Sequence, residues 1–318
     1  MVLAVSAAEM ESAPRMHPRR LSAAERDQLA RDGFVVRERE LSAPELARLG
    51  ADCEAMVAHV CAASVGRRKV AVGSYMFQLA RGLATMVKWE PAHPDVVQGI
   101  EPFAHFDDAL RAWAADARFI EPMKDVVGAE AIELFTEKLN VKRARTGGSI
   151  VLHQDYPYWT DNSDGAAEIA TAIVFLDDAT RENGCLEVAP GSHLGGVRAQ
   201  RKDDPGGFGS LEMDTALFDD AQLVALEVPA GSMVFFGSLL VHRSLPNRSD
   251  ADRRVLLYSY QPAGRRKAID GDVLQLNQPK TRQPQFTSLA LHLRPATKAR
   301  PYQAGTVANR VPAFRSSS

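Results

Sequence analysis

From Glu133 onward the chain is a succession of short apolar or alternating runs cut by Gly, Pro, Asn or Asp: LNVKRA, GSIVLHQD, IATAIVFL, GCLEVAP, QLVALEVP, GSMVFFGS and RRVLLYSYQ. Such runs are too short for ordinary helices, and their β-branched and aromatic residues suit a pleated sheet. Many short strands at this spacing predict a mainly β protein, a sandwich or barrel of the jelly-roll type. An antiparallel sheet with one apolar face has to bury it. The segments before Glu133 offer the cover.

There LSAAERDQLARDGFVV begins with Ser22 three residues before Glu25, the spacing of a capping box, and Gly33 closes the helix before Val35 and Val36. Ser42 then caps a second helix over PELARLGADCEAMVAHVCAAS, with Pro44 in its first turn, where a missing N–H costs nothing. The chain therefore opens helix, short strand, helix. Residues 75–127 read as mixed helix and loop, broken at Trp89, Pro91 and Pro94, with helical runs at Phe106–Arg118 and Pro122–Val127. Residues 1–20 are expected to be a disordered tail, 21–300 a single domain, and 301–318 a frayed end.

A formal net charge of -2 provides no field for nucleic acid or an anionic membrane. No stretch has the roughly 20 apolar residues that cross a bilayer, and the basic cluster of the first residues follows the apolar part, the wrong order for a secretory signal. Cys53, Cys61 and Cys185 are too few and too scattered for a disulfide framework. A cytoplasmic location and a small-molecule partner are expected; oligomeric state is not legible.

Chemistry concentrates in VLHQDYPYW, where His153 and Asp155 lie two apart on an expected strand and so share a face, with Gln154 opposite. His242 ends GSMVFFGSLLVH and joins that pair only if the two strands meet. Two imidazoles and a carboxylate on one face of Fe(II) leave positions for a chelating co-substrate and O₂. Arg253 opens the next strand, and a guanidinium is the fork-shaped partner that the distal carboxylate of a keto-diacid requires.

With these residues in their linear order, and with TAIVFLDDATRENGCLEVAPGSH and PAGSMVFFGSLLVHRSLPNRS between them, the chain from about Leu21 to Pro262 resembles the phytanoyl-CoA dioxygenase-like Fe(II)/2-oxoglutarate oxygenases. The resemblance implies a double-stranded β-helix with iron at its open end and His153, Asp155 and His242 as catalytic metal ligands. It implies that Arg253 pairs with the distal carboxylate of 2-oxoglutarate, that Ser244 supports it, that Asn140 and Thr171 bond the co-substrate, and that Trp159 lines the substrate pocket. Fe(II), 2-oxoglutarate and O₂ are the implied cofactors, with succinate and CO₂ released. Relatives often have Gly after the last histidine; Arg243 stands here and is expected to narrow or recharge the entrance. An intact Asp155 favours hydroxylation, or a related desaturation or ring closure, over halogenation.

Other features carry a structural reading beside a functional one. The Gly-rich stretch GVRAQRKDDPGGFGSLEM is either a lid or a surface insertion. Lys138 and Lys142 share a strand face with Asn140, toward the co-substrate or at a solvated strand end. His193 is expected to be structural, Trp89 and Trp113 core anchors, and Asp177 and Asp178 turn residues. His17, His59, His93, His105 and His292 lack ligand partners in the sequence. The competing functions are another cupin-like metalloenzyme and a non-catalytic jelly-roll binding module; Arg253 argues against both.

Overall fold

The computed structural model describes residues 19–72, 75–160, 162–199, 212–265, 267–269 and 272–273. The expected opening is present. Helix α1 (Ala23–Asp32) starts at Ser22, whose Oγ accepts the Glu25 N–H at 3.2 Å while Glu25 accepts the Ser22 N–H at 2.7 Å. It stops at Gly33, where φ is +87° and an added Cβ would lie 2.4 Å from the His193 ring, so that both conformation and space require glycine. After β1 (Phe34–Arg37), helix α2 (Ala43–Ser64) begins at Ser42, whose N–H and hydroxyl both donate to Glu45 at 2.8 Å. Its buried residues Leu49, Cys53, Met56 and Val60 recur at three or four residues and form one stripe.

Residues 75–127 depart from expectation. Three strands occupy the first half: β3 (Tyr75–Ala80), β4 (Thr85–Glu90) and β5 (His93–Glu101), with β2 (Val70–Val72) outside β3. Pro91 sits in the turn between β4 and β5, and Pro94 lies at the exposed start of β5, where proline is tolerated; neither breaks the sheet. The helical part divides at Ala115–Asp116 into α3 (Asp108–Ala114) and α4 (Ala117–Val127), because Asp116 accepts the Arg118 N–H at 2.8 Å and caps a new helix.

Strands β6 (Ile132–Lys142), β7 (Ile150–His153), β8 (Ala170–Phe175), β9 (Leu186–Val188), β10 (Val224–Leu226), β11 (Met233–Gly237), β12 (His242–Ser244) and β13 (Arg253–Pro262) divide between two sheets. The larger runs β1-β11-β8-β13-β6-β5-β4-β3-β2 and the smaller β10-β9-β12-β7; β14 (Ala268–Ile269) and β15 (Asp272–Val273) pair separately. Strands β6 to β13 cross between the two sheets in the order of a jelly roll, which is the double-stranded β-helix expected.

Alternation along the strands builds two cores. On β8, Ala170, Ala172 and Val174 join Leu256, Tyr258 and Tyr260 of β13 beneath α4, which contributes Phe119 and Met123. Burial of each larger aliphatic or phenyl side chain among these stabilises the fold by about 1.5–3 kcal/mol. The two tyrosines keep their hydroxyls satisfied: Tyr258 donates to the Leu110 carbonyl at 2.8 Å and Tyr260 to that of Ala114 at 2.7 Å, tying α3 to the sheet. The opposite residues, Ile173 and Phe175, face Leu186 and Val188 of the smaller sheet and line the interior. No helix among the described residues is long and apolar enough to cross a membrane. The expected tails fall outside the described residues apart from Arg19 and Arg20, as do 274–300 and most of the candidate lid, 200–211.

Candidate active site

Strands β7 and β12 are antiparallel neighbours, and their register sets His242 opposite His153 with ring centroids 4.2 Å apart. The meeting that the sequence required is thus made by one strand pair. Asp155 is placed differently from expectation: β7 ends at His153, and Asp155 has helical backbone (φ −69°, ψ −30°) at the head of the one-turn helix α5 (Tyr156–Trp159). The turn, not a strand repeat, brings its carboxylate back beside the histidines, 3.5 Å from His153 Nε2 and 4.0 Å from His242 Nε2. Gln154 does point away, bonding the carbonyls of Leu239 and Gly196 at 2.6 and 2.9 Å.

Both imidazoles are oriented alike. Nδ1 of His153 lies 2.8 Å from the Val151 carbonyl and Nδ1 of His242 lies 3.0 Å from that of Leu240; each Nδ1–H donates there, leaving the Nε2 lone pair toward Asp155. One ligand atom from each of the three residues lies within 4.8 Å of the others, a cluster able to hold a metal ion. Burial, with His153 alongside, pushes His242 down to about 4, so it is neutral near pH 7 as ligation requires. Burial pushes the Asp155 carboxyl up, but the basic groups beside it, His153, His242 and Lys138, more than offset this and hold it below its ordinary value.

These groups open on a cavity of about 180 Å³ between the sheets. Arg253, at the start of β13 and 3% exposed, and Ser244, at the end of β12, also line it. Arg253 donates to the Gly184 carbonyl at 2.8 Å, burial pushes it down to about 10, and its Nε and the Ser244 Oγ are buried with no partner. Buried polar atoms without partners are rare, and on residues that line a cavity they point to a ligand. Asn140 on β6 and Trp159 on α5 line the cavity, Trp159 edge-on to Phe135 at 5.5 Å.

One expectation is corrected. Thr171 is not among the residues lining the cavity, and its buried hydroxyl lies 2.8 Å from that of Ser259 instead. Arg243 lines the cavity, and Glu187 and Asp220 each bind it at 2.7 Å. Neither lysine of β6 is a solvated strand end: Lys138 lines the cavity, and Lys142, 2% exposed, donates to the Gly148 carbonyl. Sequence reasoning also missed Tyr75, Phe77, Lys88 and Glu101 in the wall, because their strands were read as helix and loop, and Lys267 beyond β13.

The remaining features are structural. Asp177 chelates Arg254 at 2.7 and 2.9 Å, Asp178 accepts the Ala230 N–H, and the three cysteines are free. Trp89 is in the core, Trp113 packs against it, and His193 abuts the Gly33 cap.

The model of the family described as phytanoyl-CoA dioxygenase (PhyH) matches residues 29–255. The L-proline trans-4-hydroxylase of Streptomyces griseoviridis is 31% identical over 145 residues, 41% of this chain and 54% of that protein. A probable alpha-ketoglutarate-dependent hypophosphite dioxygenase of Stutzerimonas stutzeri is 30% identical over 166 residues, 51% of this chain and 56% of that protein. The chain thus spans about half the length of these relatives. Among solved structures, EctD from S. alaskensis with 2-oxoglutarate and 5-hydroxyectoine superposes with a TM-score of 0.62 at 20% identity, covering 87% of this chain and 90% of that one. The non-heme alpha ketoglutarate dependent carbocyclase SnoK gives 0.60 at 22% identity, covering 80% and 94%. These two likenesses are of fold.

Proposed function

Because the chain belongs to the phytanoyl-CoA dioxygenase (PhyH) family, we propose that it is an Fe(II)- and 2-oxoglutarate-dependent dioxygenase that hydroxylates a small organic substrate and releases succinate and CO₂. One observation carries this: three convergent N and O donors line the same cavity as Arg253 and Ser244, whose buried Nε and Oγ lack hydrogen-bond partners. A metal site alone leaves Arg253 unexplained. A keto-diacid accounts for both ends, since its 2-oxo acid faces the metal and its distal carboxylate takes the guanidinium.

The residues fit the group. His153, Asp155 and His242 would hold the ion, two imidazoles and a carboxylate being the donor set suited to non-haem iron with open positions. When bound, the ferrous ion supplies the O₂ chemistry that couples oxidative decarboxylation of 2-oxoglutarate to oxidation of a C–H bond. The protein's own part is positional. The Val151 and Leu240 carbonyls fix the imidazole tautomers, Arg253 and Ser244 anchor the co-substrate, and Asn140 flanks it. Ile173, Phe175 and Leu257 give that wall an apolar surface that excludes water. Trp159, one turn beyond Asp155 and braced on Phe135, would bound the substrate.

Aerobic incubation with Fe(II), ascorbate and 2-oxoglutarate tests this. Succinate should form at the slow rate of substrate-free turnover and stop on chelation of the metal. No succinate under any Fe(II) condition would favour another cupin-like metalloenzyme or a binding module.

A further inference from the structure

Three lysines enter the cavity wall from three elements: Lys88 from β4, Lys138 from β6, and Lys267 from the segment after β13, which bridges back to Ser163. Only Lys138 has a carboxylate partner, Glu101 at 3.0 Å, and Glu101 also accepts the Thr136 hydroxyl at 2.8 Å. Among the described residues no carboxylate lies in ion-pair distance of the other two. The Lys88 ammonium lies over the Tyr75 ring at 3.7 Å from its centroid. The Lys267 ammonium lies over Phe135 at 5.2 Å and donates to the Phe135 carbonyl. A ring face and a carbonyl attract a cation without cancelling its charge. Burial pushes Lys88 down to about 7 and lowers Lys267 as well, so keeping these ammonium groups in the wall is costly.

With a divalent ion and 2-oxoglutarate in the site, the reading on which this inference rests, the charges can be balanced. Dianionic 2-oxoglutarate offsets the divalent ion. Five cations line the wall, Lys88, Lys138, Lys267, Arg243 and Arg253, against the carboxylates Asp155 and Glu101, and Arg243 is already paired with Glu187 and Asp220. Glu90 and Glu212 attract Lys88 and Glu137 attracts Lys267, but none of the three lines the cavity, so the wall itself keeps two positive charges in excess. Arg253 lies at one end of the inner faces of β6 and β13, whereas Lys267 shares the other with Phe135, Trp159 and Asn162.

We propose that the substrate is a small organic acid whose carboxylate or phosphonate group is received by Lys267, with Lys88 supplying the second positive charge and Phe135 and Trp159 enclosing its carbon skeleton. The arginine-rich stretch VGRRKV is not needed for this, as none of its residues lines the cavity.

The test uses protein loaded with redox-inert Ni(II) and 2-oxoglutarate, with thermal unfolding followed against matched acid and neutral probes: cyclopentanecarboxylate and its amide, butyrate and butyramide, methylphosphonate and its dimethyl ester. At least one acid should raise Tm, none of the neutral partners should, and Lys267→Met should weaken the acid more than tenfold while Lys267→Arg retains it. Far-UV circular dichroism checks that the variants are folded. The inference is overturned if no acid stabilises the protein, if a neutral probe matches its acid, or if the acid binds Lys267→Met undiminished. Failure of 2-oxoglutarate itself to raise Tm would instead bring down the dioxygenase reading beneath it.

Discussion

Replacing Arg253 with methionine keeps an unbranched stem and removes the guanidinium. In the ligand-free protein two effects oppose each other. A buried cation, already pushed down to about 10 by its surroundings, is exchanged for an apolar side chain, while the Gly184 carbonyl loses its donor. Such terms largely cancel, and ligand-free stability should change by less than about 2 kcal/mol. Toward 2-oxoglutarate nothing compensates. A guanidinium gives a carboxylate two charge-assisted hydrogen bonds worth about 1.5–3 kcal/mol each, so that Kd should rise at least on the order of a hundredfold. At a concentration of 100 times the wild-type Kd, the co-substrate stabilises the native state by about 2.7 kcal/mol, and the variant would gain only about 0.4 kcal/mol. Urea unfolding of both proteins with Ni(II), with and without 2-oxoglutarate, measures the difference. A variant that keeps more than about 2 kcal/mol of this stabilisation would refute the assignment.

Three further outcomes rest on particular contacts. Ser244→Ala should leave ligand-free stability nearly unchanged, because the buried hydroxyl has no partner to lose, yet weaken 2-oxoglutarate binding five- to tenfold, about 1 kcal/mol, by calorimetry. Tyr258→Phe removes the hydroxyl bond to the Leu110 carbonyl that ties α3 to the sheet and should lower stability by about 0.5–1.5 kcal/mol, read from urea midpoints. Glu25 tests the capping box by pH: burial pushes its carboxyl up, but Arg37 and Ser22 outweigh this and hold it at about 2, below the ordinary 4.5. A depressed carboxylate contributes stability that is complete above its ordinary value and is lost as pH falls toward 2. Glu25→Gln should therefore destabilise at pH 7 and much less at pH 2; an equal loss at both would show that the charge is irrelevant.

The jelly roll was legible because strands β6 to β13 carry their own punctuation, and the α1 and α2 starts because a capping box is a local hydrogen-bond pattern that needs no tertiary context. Asp155 shows the boundary of local reasoning. Period-two spacing placed it with His153 for a strand, and the chain achieves the juxtaposition by turning into a helix one residue later. Strands β3 to β5 were hidden because Pro91 and Pro94 read as breakers, whereas they occupy a turn and an exposed strand start. With those strands went Lys88 and Glu101, whose meaning depends on a cavity that only the assembled sheets create. Thr171 failed for a related reason. Its face was legible, but Ser259, many residues away in sequence, takes its hydroxyl.

The central claim is that one metal ion held by His153, Asp155 and His242 shares a chamber with 2-oxoglutarate. Anaerobic addition of 2-oxoglutarate to the Fe(II)-loaded protein tests it through the visible metal-to-ligand charge-transfer absorption of the chelate. The band should appear with one equivalent of iron and be absent from Asp155→Ala and His242→Ala variants that remain folded. A wild-type protein without the band, or variants that keep it, would contradict the account.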